Sequence, residues 1–367
     1  LLWQSVGLPY NSGHYSESHF NMNQISSITE LLTLSNCQYR IYDLGRRISK
    51  ISKSDFEKIE DNKLAYPYPI QGHAMLAITF WQSLKTEPYI WFVKLPIDEQ
   101  GFLMQAGRNH FIGIIVEALG GDLNQDPTER QEELLKNNPY HFTPAQYKLA
   151  SFNAIMKASM KQPASSQYEH CQLYMSGKIG WDNWQGVGIQ GVCDFAARIN
   201  DDANAVALAN ALPHLPNEVL SVLSGALENQ YLELKLVEAV VAQLNLEQDE
   251  NNQSKLGFWL RSLSSSTDIP LAKEAIQKLI NRSISLEIEH LITIAGRCWN
   301  ALDNQATAMQ FLESLASHNS TEQFIALFSD IIAIPKLRPI LLTCIRNPER
   351  SPALSKAVGA LFTQVKK

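Results

Sequence analysis

Few residues of this chain are of a type and spacing that could do chemistry, and none completes a site. Gly186-Val187-Gly188-Ile189-Gln190-Gly191 matches the dinucleotide-binding pattern GxGxxG. That pattern works when a strand precedes it and a helix opens within it, so that helix N-terminal amides face a pyrophosphate. Here Lys178-Ile179-Gly180-Trp181-Asp182-Asn183-Trp184-Gln185 comes before it and does not read as a strand. No acidic residue closes a second strand about 20 residues on. The glycines are therefore expected to admit a neighbouring helix rather than a cofactor. The nine histidines form no HExxH and no pair at i, i+4, so no metal site is expected. His170 and Cys171 are adjacent and would point apart on a helix. The Asp98-Glu99 pair lies in a turn, where acidic residues serve local geometry. No Walker A sequence, nucleophile elbow or kinase signature occurs. The reading is thus of no catalytic residue and no cofactor, and of an enzyme less than of a binding protein.

Binding is better represented. Between residues 36 and 53 the cations Arg40, Arg46, Arg47, Lys50 and Lys53 meet only Asp43. They fall on a predicted hairpin, and Tyr66-Pro67-Tyr68-Pro69 follows as an extended aromatic segment, since each proline excludes helix from its predecessor. Arg40, Arg46, Arg47, Lys50, Tyr66 and Tyr68 are the candidate partner-binding residues. The plainer alternative is an edge hairpin kept unpaired by charge, with tyrosines that cover a sheet. Trp181 and Trp184, three apart, offer an aromatic platform or a cap on a helical array.

The elements that would position these groups divide into two regions. Ser27-Ile28-Thr29-Glu30 and Ser54-Asp55-Phe56-Glu57 read as capping boxes of short helices. Between them Cys37 to Asp43 and Arg47 to Ile51 form the hairpin around Leu44-Gly45. Strands are expected at His73 to Trp81, Tyr89 to Leu95 and Phe102 to Gln105, then a helix from Arg108 to Leu119 ending at Gly120-Gly121. This makes residues 22–121 an α+β domain of about five antiparallel strands. Residues 122–142, with Asp126-Pro127 and Asn137-Asn138-Pro139, read as a linker holding a short helix. Thr143-Pro144-Ala145-Gln146 starts an all-α domain, 143–367. From about 183 its helix pairs recur roughly every 34 residues. First helices start near Asn183, Asn217, Ser254, Glu287 and Thr321, second helices near Asp202, Leu232, Pro270, Asn304 and Leu337. That is the pattern of a HEAT-like solenoid, each pair burying its apolar face against its neighbours.

Composition sets further bounds. The chain has 367 residues, 45% of them hydrophobic and 19% charged, as an ordinary globular protein has. A net charge of −6 argues against a general nucleic-acid partner. Five scattered cysteines and no CxxC fit buried thiols in a reducing compartment. No apolar run is long enough to span a bilayer, which needs about 20 residues. Residues 1–21 lack periodicity and a starting Met, and read as an upstream extension or a disordered tail. The array is polarised, with nine acidic residues and one lysine in 200–253, and seven basic residues and one glutamate in 331–367. Such ends favour a partner protein or head-to-tail self-association.

Tyr42-Asp43-Leu44-Gly45-Arg46-Arg47, Tyr66-Pro67-Tyr68-Pro69, Trp91 to Gly101, Gly180-Trp181-Asp182-Asn183-Trp184-Gln185 and Ala211-Leu212-Pro213-His214-Leu215-Pro216 together resemble an uncharacterised proteobacterial family, classed as a domain of unknown function. The resemblance runs from Met22 to the last repeat. It implies a bacterial cytoplasmic setting and brings no activity and no site residues. The expected function is that of a non-enzymatic interaction or adaptor protein. The alternatives are an enzyme of unfamiliar class with a site between the domains, or an RNA-associated protein using the basic hairpin.

Overall fold

The structure, a computed structural model, describes residues 25–82, 88–119, 128–247, 254–282 and 286–364. The tail reading for 1–21 and the Gly120-Gly121 helix stop lie outside these residues. The chain forms two compact units. The first takes the chain before Leu44, Lys50–Tyr66 and Gly72–Thr143. The second takes Leu44–Ser49, Pro67–Gln71 and Pro144–Lys367.

In the first unit, helix α1 (Ile28–Leu34) is capped by Ser27, whose Oγ accepts from the Glu30 amide at 3.0 Å. The Glu30 carboxylate accepts chiefly from the Ser26 amide and hydroxyl, one residue before the cap. Strand β1 (Gln38–Asp43) pairs with β2 (Ser49–Ile51). Helix α2 (Lys53–Glu60) is capped by Ser52, two residues before the Ser54 expected from sequence. Strands β3 (His73–Trp81) and β4 (Tyr89–Pro96) complete an antiparallel sheet of order β2-β1-β3-β4. Ile41 faces Ile78, and Leu76 faces Val93.

The fifth strand, Phe102 to Gln105, is a correction. The Asp98 carboxylate accepts from the Gln100 and Phe102 amides, each at 2.9 Å, and fixes a turn. Only a single bridge, Ile97 with Leu103, follows before helix α3 (Gln105–Leu119) begins. Helix α4 (Glu129–Lys136) starts from a complete capping box of Thr128 with Gln131. Ile28, Leu31, Phe56, Ile59, Leu76, Ile78, Phe80, Val93 and Phe111 are the apolar interior of this unit. Phe111 of α3 meets Trp91 of β4 edge to face at 5.9 Å.

The second unit is helical. Its helices are α5 (Gln146–Ser159), α6 (Tyr168–Met175), α7 (Ile189–Ala197), α8 (Asp202–Ala211), α9 (Asn217–Leu227), α10 (Leu234–Leu246), α11 (Leu256–Leu263), α12 (Pro270–Ile280), α13 (Ile288–Arg297), α14 (Gln305–Ser317), α15 (Thr321–Ile332), α16 (Arg338–Arg346) and α17 (Pro352–Gln364). Thr143 does not cap α5, which opens at Gln146 after an uncapped Ala145. From α5 onward each odd helix packs on the next odd helix, and from α6 each even helix on the next even one. The two layers share one apolar core, to which Leu220, Leu223 and Leu227 of α9 and Ala272, Ile276 and Leu279 of α12 belong. Their i+3 and i+4 spacing puts each row on one face of its helix, and half-buried Leu271 packs against the same core. Each fully buried leucine is worth about 1.5–3 kcal/mol of transfer free energy, so truncating one is felt by the helices on both sides. Among the described residues no helix is long and apolar enough to cross a membrane.

Candidate functional site

Two short excursions of the chain, Leu44–Ser49 and Pro67–Gln71, belong to the helical unit. They carry Arg46 and Arg47, whose side chains are buried. Arg46 is 1% exposed. Its Nε donates to Pro69 O at 3.0 Å, Nη1 to Asp330 Oδ2 at 2.8 Å, and Nη2 to Asp330 O and Oδ1 at 2.9 and 3.0 Å. Arg47 donates to Ser264 O and lies 4.5 Å from the ring centre of Trp299. Arg46 sits over the same ring at 5.4 Å, and Tyr68 meets it edge-on at 6.3 Å. Ile48 N donates to Asn229 Oδ1 at 2.7 Å. Lys148 of α5 donates to Gly45 O at 2.6 Å and also to Leu44 O.

The partners of the excursions in the later helices lie at helix ends. Asn229, Ser264 and Trp299 lie just past the C-terminal ends of α9, α11 and α13, and Asp330 lies near that of α15. Helix C-termini leave carbonyls without intrahelical donors and carry partial negative charge. Guanidinium groups satisfy both needs with rigid, multiple donors.

A second charged cluster adjoins it in sequence. Glu228, 1% exposed, follows α9. Its Oε2 accepts from Arg261 Nε at 2.8 Å and from Arg297 Nε at 2.9 Å. Its backbone carbonyl accepts from Ser265. Gly225 leaves room for Arg261, since a Cβ there would stand 3.1 Å from Nη2. The neighbouring Cys298 thiol feels Arg47, Glu228 and Arg297, but burial dominates and pushes its pKa up to about 12. It is therefore a thiol and not a nucleophile at neutral pH.

The sequence reading of a free basic hairpin is corrected here. Arg46, Arg47 and Tyr66 are buried, and Tyr68 is half-buried against Trp299. Arg46 pairs with Asp330 and not with the adjacent Asp43, which accepts instead from Tyr66 Oη at 2.5 Å. Arg40 is half-buried, 5.3 Å over Trp81, and Lys50 is exposed. The structure thus brings Arg46, Arg47 and Tyr68 together around one tryptophan, whereas Arg40 and Lys50 belong to the first unit. Glu228, Arg261, Arg297 and Asp330 escaped sequence reasoning. Their one local signal is a charge near the C-terminal end of a helix.

The GxGxxG stretch lacks the preceding strand of a dinucleotide-binding loop. A 3-10 turn, Trp181–Gly186, precedes it, and α7 starts after Gly188. A Cβ on Gly191 would stand 2.6 Å from Gln167 O, so this glycine lets α7 lie against the start of α6. Trp181 is packed as well, stacked on His214 at 5.1 Å and edge-on to Tyr174 at 5.7 Å.

These features define an α+β protein in which a small antiparallel sheet is followed by a long run of paired helices. The chain belongs to the DUF3549 family of proteins of unknown function, whose pattern it matches over residues 23–362. No curated protein and no solved structure matches it.

Proposed function

We propose that the helical unit is a HEAT-like solenoid and that the protein is a non-enzymatic interaction or adaptor protein. The observation that supports this most is the layering of α5 to α17, in which each helix packs on the helix two further along. Such arrays hold a rigid, extended surface and leave one side of each pair open to a partner. The arginine-rich excursions are committed to helix ends, so the partner surface lies elsewhere. Its best location is α8 and α10, which pack together. There Val206, Tyr231, Leu234 and Leu246 are exposed large apolar side chains, and Asp201, Asp202, Glu233 and Glu238 are exposed acids. Leu234 and Glu238, four apart, share one face of α10. An apolar centre with an acidic rim fits a protein with an apolar anchor and basic surroundings. The same acidic end could meet the exposed Lys336, Arg346 and Lys356 of another copy, giving salt-sensitive head-to-tail association.

The test is affinity capture with Leu234→Asp combined with Glu238→Lys. Both positions are exposed, so the variant is expected to fold with a stability change within about 1 kcal/mol. It should lose a partner that the unaltered chain retains. Retrieval of an identical set of proteins by the folded variant would remove α10 from the interface.

A further inference from the structure

We propose that the occupant of the α8 and α10 surface is a second copy of this chain, docked through its α16 and α17 face, so that copies join head to tail. The inference rests on the reading of α8 and α10 as the partner surface, and it names the partner. Three observations carry it.

The first is the acidic face. Helices α8 and α10 pack together. Asp202 and Val206 of α8 are exposed and four residues apart, as are Leu234 and Glu238 of α10. Each helix therefore shows a carboxylate and an apolar group on one side. Asp201, Glu218 and Glu233 are exposed as well, and Lys235 is the one lysine or arginine between residues 201 and 247. The second is that the chain also carries the opposite face. Helix α17 packs on α14 and α15. Lys356, Gly359 and Phe362 recur every three residues on its exposed side, and Phe362 is 55% exposed. A Cβ on Gly359 would meet nothing within 4 Å, so the stretch between the cation and the ring is open to close approach. Exposed Lys336, just before α16, and Arg346, at its end, extend the basic character, and Glu349 is the one carboxylate side chain from 331 to 364. The third is that these charges are not used internally. Asp202, Glu238, Lys336, Arg346 and Lys356 form no ion pair among the described residues. Two faces of opposite charge, each with an apolar group at hand, complement one another. They lie on different helices, so the contact joins unlike patches and leaves one of each to take a further copy.

The experiment is sedimentation velocity of the full chain over a micromolar concentration series. The average mass should rise with concentration above that of one chain. Raising the ionic strength from about 0.05 to 1 M shortens the screening length to about 3 Å and should weaken the association. Leu234→Asp and Phe362→Asp, each at an exposed position, should each weaken it at least about tenfold. Mixed in equal amounts, these two variants should associate again and stop at two chains. Each mixed pair joins one intact α10 to one intact α17 and presents only altered faces to a third copy. Lys356→Glu repeats the Phe362→Asp arm at a second position, so the answer does not hang on one variant folding. A mass of one chain throughout, association unmoved by substitution at either face, or no recovery on mixing would each overturn the proposal. A mass of one chain, together with a captured protein that is lost in Leu234→Asp with Glu238→Lys, would overturn the second copy and leave α10 as the surface for a different protein.

Discussion

Two residues show how a single atom decides an outcome. Gly191→Ala would put a Cβ against the backbone of Gln167, which cannot rotate away. Overpacking of this kind costs about 1–3 kcal/mol, only partly offset by the gain in helix propensity of roughly 1 kcal/mol. Gly188→Ala meets only the far end of the Gln167 side chain, which can turn aside. Urea denaturation should therefore rank Gly191→Ala well below Gly188→Ala in stability, and the reverse order would mean that α6 and α7 are packed differently. Glu60 offers the second case. Its carboxylate accepts from the Ile28 and Thr29 amides at 2.7 and 3.0 Å, closing the N-terminus of α1. Burial raises its pKa above the ordinary 4.5, against those hydrogen bonds and Arg108. A raised folded-state pKa means tighter proton binding in the folded chain. That stabilisation is complete below 4.5 and is lost as pH rises through the folded value. Glu60→Gln lacks this loss. Its stability relative to the parent chain should climb with pH from about 4.5 and then level off. Parallel stability curves across pH 4–8 would contradict the assignment.

At the scale of elements, the excursions carrying Arg46, Arg47 and Tyr68 work as braces across successive helix ends. Removing Arg46 strands the Asp330 carboxylate and the carbonyls of Pro69 and Asp330. Breaking a fully buried pair costs about 3–5 kcal/mol. Asp330 keeps 28% of its side-chain exposure, so solvent recovers part of that and roughly 2–3 kcal/mol is expected for Arg46→Ala. A cost below about 1 kcal/mol in urea unfolding would make the excursion a surface ornament. The reason this brace was illegible in the sequence is distance along the chain. Arg46 meets a residue 284 positions away, and Arg47 one 217 positions away. Five clustered cations therefore read as a charged surface. Helix starts are local and were legible. Asp202, Asn217, Pro270 and Thr321 each open a helix where apolar spacing places one, although only the last has a side-chain cap, from Ser320, and the caps expected at Ser54 and Thr143 do not form. Phe102 to Gln105 failed as a strand because the Asp98 side chain competes for the amides that pairing would need.

Over the whole molecule, the residues whose types suggest local chemistry are packed into structure. The glycine motif packs a helix, and Trp181 stacks on His214. The Cys171 and Cys298 thiols are pushed up to about 12 by burial. None of these is poised for reaction. What remains is a run of helices in which α8 to α10 carry the exposed acids Asp201, Asp202, Glu218, Glu233 and Glu238 beside exposed Val206, Leu234 and Leu246. The proposed role stands on that surface being occupied. The most direct measurement is site-specific photo-crosslinking in the native cell, with the reactive group at position 234 and a control at Ile292, which is also exposed but lies on α13. The account predicts a discrete adduct from position 234, lost when Glu238 is replaced by Lys, and none from position 292. Adducts from 292 alone, or the same adducts from both positions, would contradict it.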